Sequence, residues 1–270
     1  MRVFVLTGAG VSAESGIPTF RGKDGYWRNV DPTKLATPEA FARDPQLVWN
    51  WYRERRERIR NARPNAAHQA IAQLAARTDE FLLVTQNVDD LHTRAGMPAE
   101  KMVQIHGDIF VTRCSRCDFS CGGTVGSPEP PDACVVQPTD ARLKSHNGCE
   151  ATGGLSIAAT SIQQEEIPKC PHCAGFIRPG VVWFGEELPR NELQRVENFL
   201  GGGGCDVVIV AGTTATFGYI VDWALRGSRG GGELVEVNPE ETPLSRFSTR
   251  LVREPGAIAL PRIVDELISS

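Results

Sequence analysis

Four cysteines stand in two pairs with the spacing of metal-binding knuckles, Cys114-x-x-Cys117 and Cys170-x-x-Cys173. Four thiolates close a tetrahedral zinc site with no open coordination position, so such a site stabilises structure and takes no part in catalysis. The two pairs are further apart than in a compact zinc ribbon, and free thiols remain the alternative. The spacing favours one structural zinc ion held by these four residues.

Other residues near the two pairs could compete as ligands. Cys121, Cys134 and Cys149 lie between the pairs, but none of them forms a C-x-x-C pair. His172 lies inside the second pair, where we expect it to face solvent. Cys205 precedes a predicted core strand, and its position indicates a small buried hydrophobic residue.

A glycine-rich turn follows the first apolar run of the chain. Gly8-x-Gly10-x-x-Ala13 comes directly after VFVLT and matches the fingerprint of turns that hold a dinucleotide pyrophosphate on backbone amides. The match alone is weak, and a purely structural turn is the alternative. Gly16 and Pro18 exclude a long helix directly after the turn. We therefore expect a loop there with a role of its own. A G-x-x-x-x-G-K-[ST] loop is absent, which excludes nucleotide hydrolysis of that type.

Polar side chains follow two further apolar runs. TQNVDDLH sets Gln86, Asn87 and Asp89 behind FLLV, and QIHGD sets His106 behind the next run. Open α/β sheets bind ligands at the carboxyl ends of their strands. A lone histidine is more often structural, but this one follows a strand and precedes a glycine, where catalytic groups gather. AGTT at 211–214 ends another strand in a glycine turn.

Predicted strands and helices alternate along the chain, and these elements must position the polar groups. Apolar runs predict strands at 3–8, 81–87, 103–107, 206–212 and 233–238. Helical patterns cover 45–62, 65–77, 191–200 and a C-terminal segment that we expect Pro261 to interrupt. Near-continuous apolar strands that alternate with helices predict an α/β fold with a Rossmann-like doubly wound parallel sheet.

Composition narrows the classes of function. The chain has 270 residues, 41% of them hydrophobic, and a net charge of −4, so no basic excess indicates a nucleic-acid partner. The longest apolar runs are too short to cross a bilayer. Met1 and Arg2 before VFVL resemble the start of a signal peptide, but the apolar part is too short. We expect a cytoplasmic protein whose cysteines do not form a disulfide framework.

Taken together, these stretches resemble a known family. GAGVSAESGIPTFRG at 8–22, TQNVDDLH, IHGD, the two C-x-x-C pairs, RPGVVWFGE at 178–186, AGTT and VEVN are similar, in this order, to motifs of the sirtuins. Sirtuins are NAD-dependent protein deacylases. The resemblance covers nearly the whole chain. It implies a discontinuous NAD-binding Rossmann-like domain (1–29, 64–112 and 180–270), a helical module with acyl-pocket residues (30–63) and a small inserted zinc-binding module (113–179).

The resemblance implies an NAD site in which the Gly-Ala-Gly turn holds the pyrophosphate. The loop after the turn orders when NAD binds, with Arg21 on phosphate oxygens and Phe20 shielding the ribose carbon once nicotinamide leaves. Asn238 would hold the adenine ribose. The implied NAD contacts are Gly8, Ala9, Gly10, Ser12, Phe20, Arg21, Gln86, Asn87, Asp89, Gly212, Thr213, Thr214, Asn238 and Gly256.

The resemblance also implies the reaction. The acyl oxygen of a modified lysine attacks the ribose carbon as nicotinamide departs, and His106 acts as general base on a ribose hydroxyl. Water completes the reaction, and the products are free lysine, nicotinamide and O-acyl-ADP-ribose. Asn87 and Asp89 would position the nicotinamide ribose and carboxamide, and imidazole supplies a base with a pKa near the operating pH. The zinc lies too far from this chemistry in the family to take part.

A pair of residues on one predicted helix bears on the acyl group. Tyr52 and Arg55 are three residues apart in WNWYRERRERIR and so share one helix face. Composition alone places Arg55 on a solvated, arginine-rich surface. The chain resembles, however, the sirtuins that prefer negatively charged acyl groups, which carry a Tyr-x-x-Arg pair and a small residue where Ala36 stands. We predict removal of succinyl or malonyl groups, with acetyl also accepted. The other implied substrate contacts are Val182, Phe184, Gly185 and Glu186.

Two alternatives keep the fold and change the function. An NAD hydrolase or ADP-ribosyltransferase would use the same pocket without acyl-lysine, and the presence of VVWFGE and His106 opposes it. A non-catalytic NAD or ADP-ribose sensor is opposed by the presence of Asn87, Asp89 and His106. After AGTT the chain reads ATFGYIVDWA where sirtuins commonly have a Val-Tyr-Pro run, a departure on the adenosine side.

The expected partners are acylated-lysine proteins or peptides, with neither nucleic acid nor membrane. The oligomeric state is open, with a monomer expected.

Overall fold

The computed structural model describes residues 1–19, 31–122 and 166–269. The strands among them are β1 (Arg2–Thr7), β2 (Glu80–Thr85), β3 (Met102–Gln104), β4 (Gly107–Cys114), β5 (Ser120–Cys121), β6 (Ile177–Val181), β7 (Val207–Ala211), β8 (Glu233–Val237) and β9 (Arg250–Val252). The helices are α1 (Pro32–Leu35), α2 (Pro38–Arg43), α3 (Pro45–Asn61), α4 (Ala66–Arg77), α5 (Leu91–Arg94), α6 (Arg190–Gly201), α7 (Gly218–Gly227) and α8 (Gly256–Ser269).

Six strands form one parallel sheet in the order β3-β2-β1-β7-β8-β9. Val3 of β1 lies opposite Phe81 on one side and Val207 on the other. The strand order reverses between β1 and β7, and at such a switch point the connections leave in opposite directions and open a crevice. The predicted α/β fold with a Rossmann-like doubly wound parallel sheet is confirmed.

Helices cover both faces of this sheet. Val3 and Val5 pack with buried residues of α4 and α8, whereas Phe4 and Leu6 pack on the opposite face with buried residues of α6 and α7. Successive side chains of a strand point to opposite faces, so both sets of positions must be apolar. This explains the near-continuous apolar runs. Full burial of one such side chain contributes about 1.5–3 kcal/mol.

Polar caps fix where the two longest N-terminal helices begin. The Asp44 side chain accepts a hydrogen bond from the Leu47 amide at the start of α3 (3.0 Å). Asn65 accepts from the Ala67 amide at the start of α4 (2.9 Å) and donates to the Val11 carbonyl (2.8 Å). Such caps contribute about 1 kcal/mol each. The Asn65 cap also ties α4 to the glycine turn that follows β1.

A small antiparallel sheet of order β5-β4-β6 packs beside the first helices. Trp51 and Tyr52 of α3 share a buried core with Ile109 of β4 and with Val181 and Trp183 of the β6 end. Helix α3 therefore packs against β4, which begins directly after His106, and against the end of β6.

The C-terminal helix runs unbroken through Pro261, so the predicted interruption is wrong. A proline inside a helix costs about 3 kcal/mol. Leu260, Ile263 and Val264 on the same helix are fully buried against the sheet, and at about 1.5–3 kcal/mol each their burial exceeds that cost. Tertiary packing thus overrides the local preference.

Several elements were not anticipated. Strand β9 has only three residues, and the pairing of β4 is irregular between Asp108 and Thr112. Helix α7 begins at Phe217 and Gly218 without a side-chain cap to mark its start. Within the described parts of the chain, no helix combines the length and apolar character needed to cross a bilayer.

Candidate active site

A cavity of about 760 Å³ opens at the carboxyl ends of the parallel strands. It has the size and position typical of ligand sites in doubly wound sheets. Its walls include every predicted NAD, catalytic and substrate residue that the structure describes: Gly8, Ala9, Gly10, Ser12, Ala36, Tyr52, Arg55, Gln86, Asn87, Asp89, His106, Val182, Phe184, Gly185, Glu186, Gly212, Thr213, Thr214, Asn238 and Gly256. Phe20 and Arg21 lie outside the described residues.

Two glycine turns meet at the switch point between β1 and β7. The Gly10 amide donates to the Gly212 carbonyl (2.8 Å). A Cβ added to Gly10 would lie 2.7 Å from the Gly212 Cα, and Gly212 has a φ of +60°. No side chain fits between the turns, so their bare backbones form this wall of the cavity. Such a wall suits a pyrophosphate, which binds to backbone amides at close approach.

The segment after the first turn is a short 3₁₀ helix over Ala9–Ser15. It ends at Gly16, whose φ of +82° lies in the left-handed region. Glycine adopts this conformation without the steric cost that a side chain brings. The predicted absence of a long helix directly after the turn is confirmed.

A buried polar chain lies behind the turn. The Ser12 hydroxyl donates to Asp89 Oδ2 (3.0 Å) and accepts from Asn87 Nδ2 (3.1 Å), and it lies 3.3 Å from His68 Nε2. Burial raises the pKa of the Asp89 carboxyl and lowers the pKa of His68 to about 4. His68 is therefore neutral near pH 7. Ser12 thus orients Asn87 and Asp89, which both follow β2 and line the cavity.

His106 follows β3 and has one hydrogen-bond partner on each ring nitrogen. Nδ1 lies 3.0 Å from the Gln86 carbonyl oxygen. A carbonyl only accepts, so Nδ1 carries the hydrogen and the lone pair of the neutral ring is on Nε2. Burial lowers the pKa of His106, and the Gln86 carbonyl opposes this shift. At neutral pH the residue is a neutral imidazole whose basic nitrogen is Nε2.

The α3 side of the cavity contains Tyr52 and Arg55, together with Ala36. Trp183 Nε1 donates to the Tyr52 hydroxyl oxygen (2.9 Å), so the phenol is the acceptor in this bond and its hydrogen is not used in it. Burial raises the pKa of Tyr52 to about 12, which keeps it a neutral donor. The Arg55 guanidinium lies 4.8 Å from the centre of the Trp51 ring and remains charged in spite of burial, which lowers its pKa. This side of the cavity presents a cation and a hydroxyl donor.

The segment after β6 connects the two ends of the cavity. The Val182 amide donates to the His106 carbonyl (2.9 Å), and the Phe184 amide donates to the Ala36 carbonyl (2.9 Å). The Glu186 carboxylate accepts from the Trp183 amide (2.8 Å) and pairs with Arg178. Because Glu186 is engaged in this way, it shapes the segment from within the protein.

The predicted zinc ligands come together at one end of the small sheet. The sulfur atoms of Cys114, Cys117, Cys170 and Cys173 all lie within 4.8 Å of one another. Four thiol donors in this arrangement fit a closed structural zinc site. Among the described residues, neither Cys121 nor His172 belongs to this group, and His172 contacts the Phe119 ring instead. Cys134 and Cys149 lie outside the described residues.

Three aromatic residues that line the cavity, Trp183, Phe217 and Tyr219, were not among the predicted site residues. Trp183 orients Tyr52, and Tyr219 of α7 places its hydroxyl 2.7 Å from His106 Nε2. Tyr219 lies in ATFGYI, the stretch after AGTT that differs from the motif expected there. Its two aromatic residues directly after a glycine turn are the signal that could have identified it. The difference at ATFGYI therefore changes the surroundings of His106, and not the adenosine side alone.

These features define a doubly wound α/β protein with a ligand cavity at its switch point and a cysteine cluster beside it. The model of the Sir2 family matches residues 8–217. NAD-dependent protein deacylase 1 of Archaeoglobus fulgidus is 40% identical over 263 residues, which cover 97% of this chain and 90% of the relative. The NAD-dependent protein deacylase of Aquifex aeolicus is 37% identical and covers 99% and 95%.

Solved structures of Sir2 proteins are also similar to this chain. The complex of a Sir2 homologue with NAD superposes with a TM-score of 0.78 at 39% identity and covers 99% of this chain and 90% of that chain. A complex of Sir2 with a p53 peptide and NAD⁺ gives a TM-score of 0.73 at 27% identity and covers 100% and 94%. The chain belongs to the Sir2 family.

Proposed function

We propose that the protein is an NAD-dependent protein-lysine deacylase that prefers acyl groups ending in a carboxylate, such as succinyl or malonyl, and also accepts acetyl. The observation that carries the preference is the presence of Tyr52 and Arg55 in the cavity that contains His106. The general activity is supported by relatives named NAD-dependent protein deacylases and by a relative in complex with a peptide and NAD⁺.

The residues around the glycine turns fit NAD. Gly8, Gly10 and Gly212 would accommodate the pyrophosphate, whose close approach their bare backbones allow. Asn87 and Asp89, oriented by Ser12, would position the nicotinamide ribose. Bound NAD would supply the ribose carbon that the acyl oxygen attacks as nicotinamide leaves, and a hydroxyl of the same ribose would receive the acyl group.

His106 is the proposed general base. Its Nε2 accepts the proton of a ribose hydroxyl, while Nδ1–H stays bonded to the Gln86 carbonyl. That carbonyl holds the required tautomer, and it stabilises the imidazolium that forms because it accepts from a charged donor. The residue is neutral and ready to accept a proton at pH 7.

The low-pH limb of the activity profile tests this assignment. The neutral imidazole is the active form, and burial lowers the pKa of His106 below the ordinary 6.5. Activity should therefore be retained on acidification to pH 6.5 and fall only below it. Measurement of kcat/KM from pH 4.5 to 8 checks the position, since this ratio reports the free enzyme. A limb centred above pH 7 contradicts the prediction.

The other end of the cavity selects the acyl group. A guanidinium takes a carboxylate through two parallel charge-assisted hydrogen bonds, and the Tyr52 hydroxyl adds a third donor. Acetyl-lysine offers no carboxylate to these groups. Ala36 leaves room for the longer acyl chain where a larger side chain would narrow the cavity. Selection should therefore act mostly through KM.

The variant Arg55→Met tests the preference for charged acyl groups. We expect kcat/KM for succinyl-lysine peptides to fall by about tenfold or more, because hydrogen bonds to charged groups are lost. Removal of acetyl should persist or improve. Arg58→Met, which changes an exposed arginine on the same helix, is the matched control and should leave the ratio unchanged. Equal wild-type efficiency on both peptides, or a succinyl preference that survives in Arg55→Met, contradicts the proposal.

The same assays separate deacylation from the alternative functions. Release of nicotinamide only in the presence of acyl peptide, together with O-acyl-ADP-ribose, supports a deacylase. Release without peptide indicates an NAD hydrolase or a transferase that uses another acceptor. Binding of NAD without any release indicates a sensor.

A further inference from the structure

Tyr219 lies against the nitrogen of His106 that has to accept a proton. Its hydroxyl oxygen is 2.7 Å from Nε2. Because Nδ1 carries the ring hydrogen toward the Gln86 carbonyl, Nε2 of the neutral imidazole is an acceptor, and the phenol must donate to it. The only lone pair with which His106 can act as a base is thus engaged by a protein side chain.

An aromatic stack holds the phenol in this position. The Tyr219 ring stacks on Phe217 with ring centres 5.5 Å apart and planes 12° apart, and it lies 4.9 Å from the ring of Trp223. Trp223 is buried, and its indole nitrogen donates to Glu197 (3.3 Å). Phe217 also contacts the His106 ring edge-to-face at 5.8 Å. Since the Tyr219 ring packs between these two aromatic rings, its hydroxyl does not reach Nε2 by chance rotation of an exposed side chain.

We propose that Tyr219 is a positioning residue that occupies the proton-accepting nitrogen of His106 and that NAD must displace this hydrogen bond before the base can act. The inference rests on the proposed role of His106. The phenol marks the place where the ribose hydroxyl donates, because Nε2 accepts only one strong hydrogen bond. Burial raises the pKa of Tyr219, so the phenol stays protonated and remains a donor until it is displaced.

The consequence is a competition that can be measured as NAD affinity. Binding of NAD exchanges the bond from Tyr219 for one from the ribose, and the gain from the new bond is reduced by the loss of the old one. Tyr219→Phe removes the hydroxyl and keeps the ring in its stack. We expect this variant to bind NAD about three- to tenfold more tightly, as the net value of one neutral hydrogen bond implies.

A double-mutant cycle in the dissociation constant for NAD tests the proposal. Calorimetric titration without acyl peptide is carried out on the wild type, Tyr219→Phe, His106→Ala and the double variant. In the His106→Ala background the phenol has no nitrogen to occupy, so removal of its hydroxyl should change affinity less than twofold. Arg58→Met, which changes an exposed arginine outside the cavity lining, is the control for NAD affinity. Thermal unfolding checks that each variant is folded.

The ¹⁵N signals of the His106 ring provide a readout that a purely structural role would not move. In Tyr219→Phe the Nε2 signal should shift toward that of an unbonded neutral nitrogen, while Nδ1 is unchanged. Unchanged or weaker NAD binding by Tyr219→Phe, or an equal gain in the His106→Ala background, overturns the assignment of Tyr219. If His106→Ala instead retains its turnover, the proposed general base is wrong whatever the cycle shows, so the two failures are distinguishable.

Discussion

Replacement of His106 by alanine is expected to lower deacylation turnover by at least about 100-fold, the loss typical of a well-placed general base. NAD should still bind, because the glycine turns and the Asn87–Ser12–Asp89 chain do not depend on the imidazole. Turnover is measured as O-acyl-ADP-ribose formed from NAD and a succinylated peptide, and binding is measured by calorimetry.

His106→Asn is the matched control for position. Asparagine has an amide that could donate to the Gln86 carbonyl in place of Nδ1–H, but it has no group that accepts a proton near pH 7. It should therefore be as inactive as the alanine variant. A variant of either kind that keeps more than a tenth of wild-type turnover rules out the general-base role.

The second large effect concerns the cysteine cluster. The purified protein should contain about one zinc per chain, and Cys170→Ser should lose most of that metal, because a closed site needs all four thiolates. Metal binding contributes directly to folding free energy in such sites. We expect the midpoint of thermal unfolding to fall by about 10 °C or more, which corresponds to several kcal/mol in a chain of this size. Elemental analysis and calorimetry check both results.

Cys205→Ser provides the comparison for this variant. Cys205 is also buried, but it lies in the core under the parallel sheet and outside the cluster. That variant should keep its zinc even if it loses some stability. A folded and active wild-type preparation without metal contradicts the prediction.

The parts of the molecule that could be predicted from the sequence are those decided by local pattern. Strands covered on both faces must be apolar at successive positions, and this made β1, β2 and β7 recognisable. The glycine turn was recognisable because only glycine allows the approach between Gly10 and Gly212. The four cysteines were recognisable because their pair spacing is itself the signal for metal.

What could not be predicted depends on contacts between distant residues. Tyr219 and His106 are 113 positions apart, and Trp183 and Tyr52 are 131 apart. No periodicity in the sequence records either contact, since each depends on how α7 or α3 packs against a strand end. Pro261 illustrates the opposite case. A proline predicts a helix break, but the burial of Leu260 and Ile263 stabilises a continuous helix.

The backbone bonds from Val182 to His106 and from Phe184 to Ala36 have a consequence for protein engineering. They connect, through one backbone segment, the region proposed to select the acyl group and the region proposed to accept the proton. Acyl preference should therefore be open to change through side chains at positions 36, 52 and 55. Insertions or deletions in the helices that carry them would shift this segment and misplace the base as well. New specificities are best sought by substitution, with the length of every connection preserved.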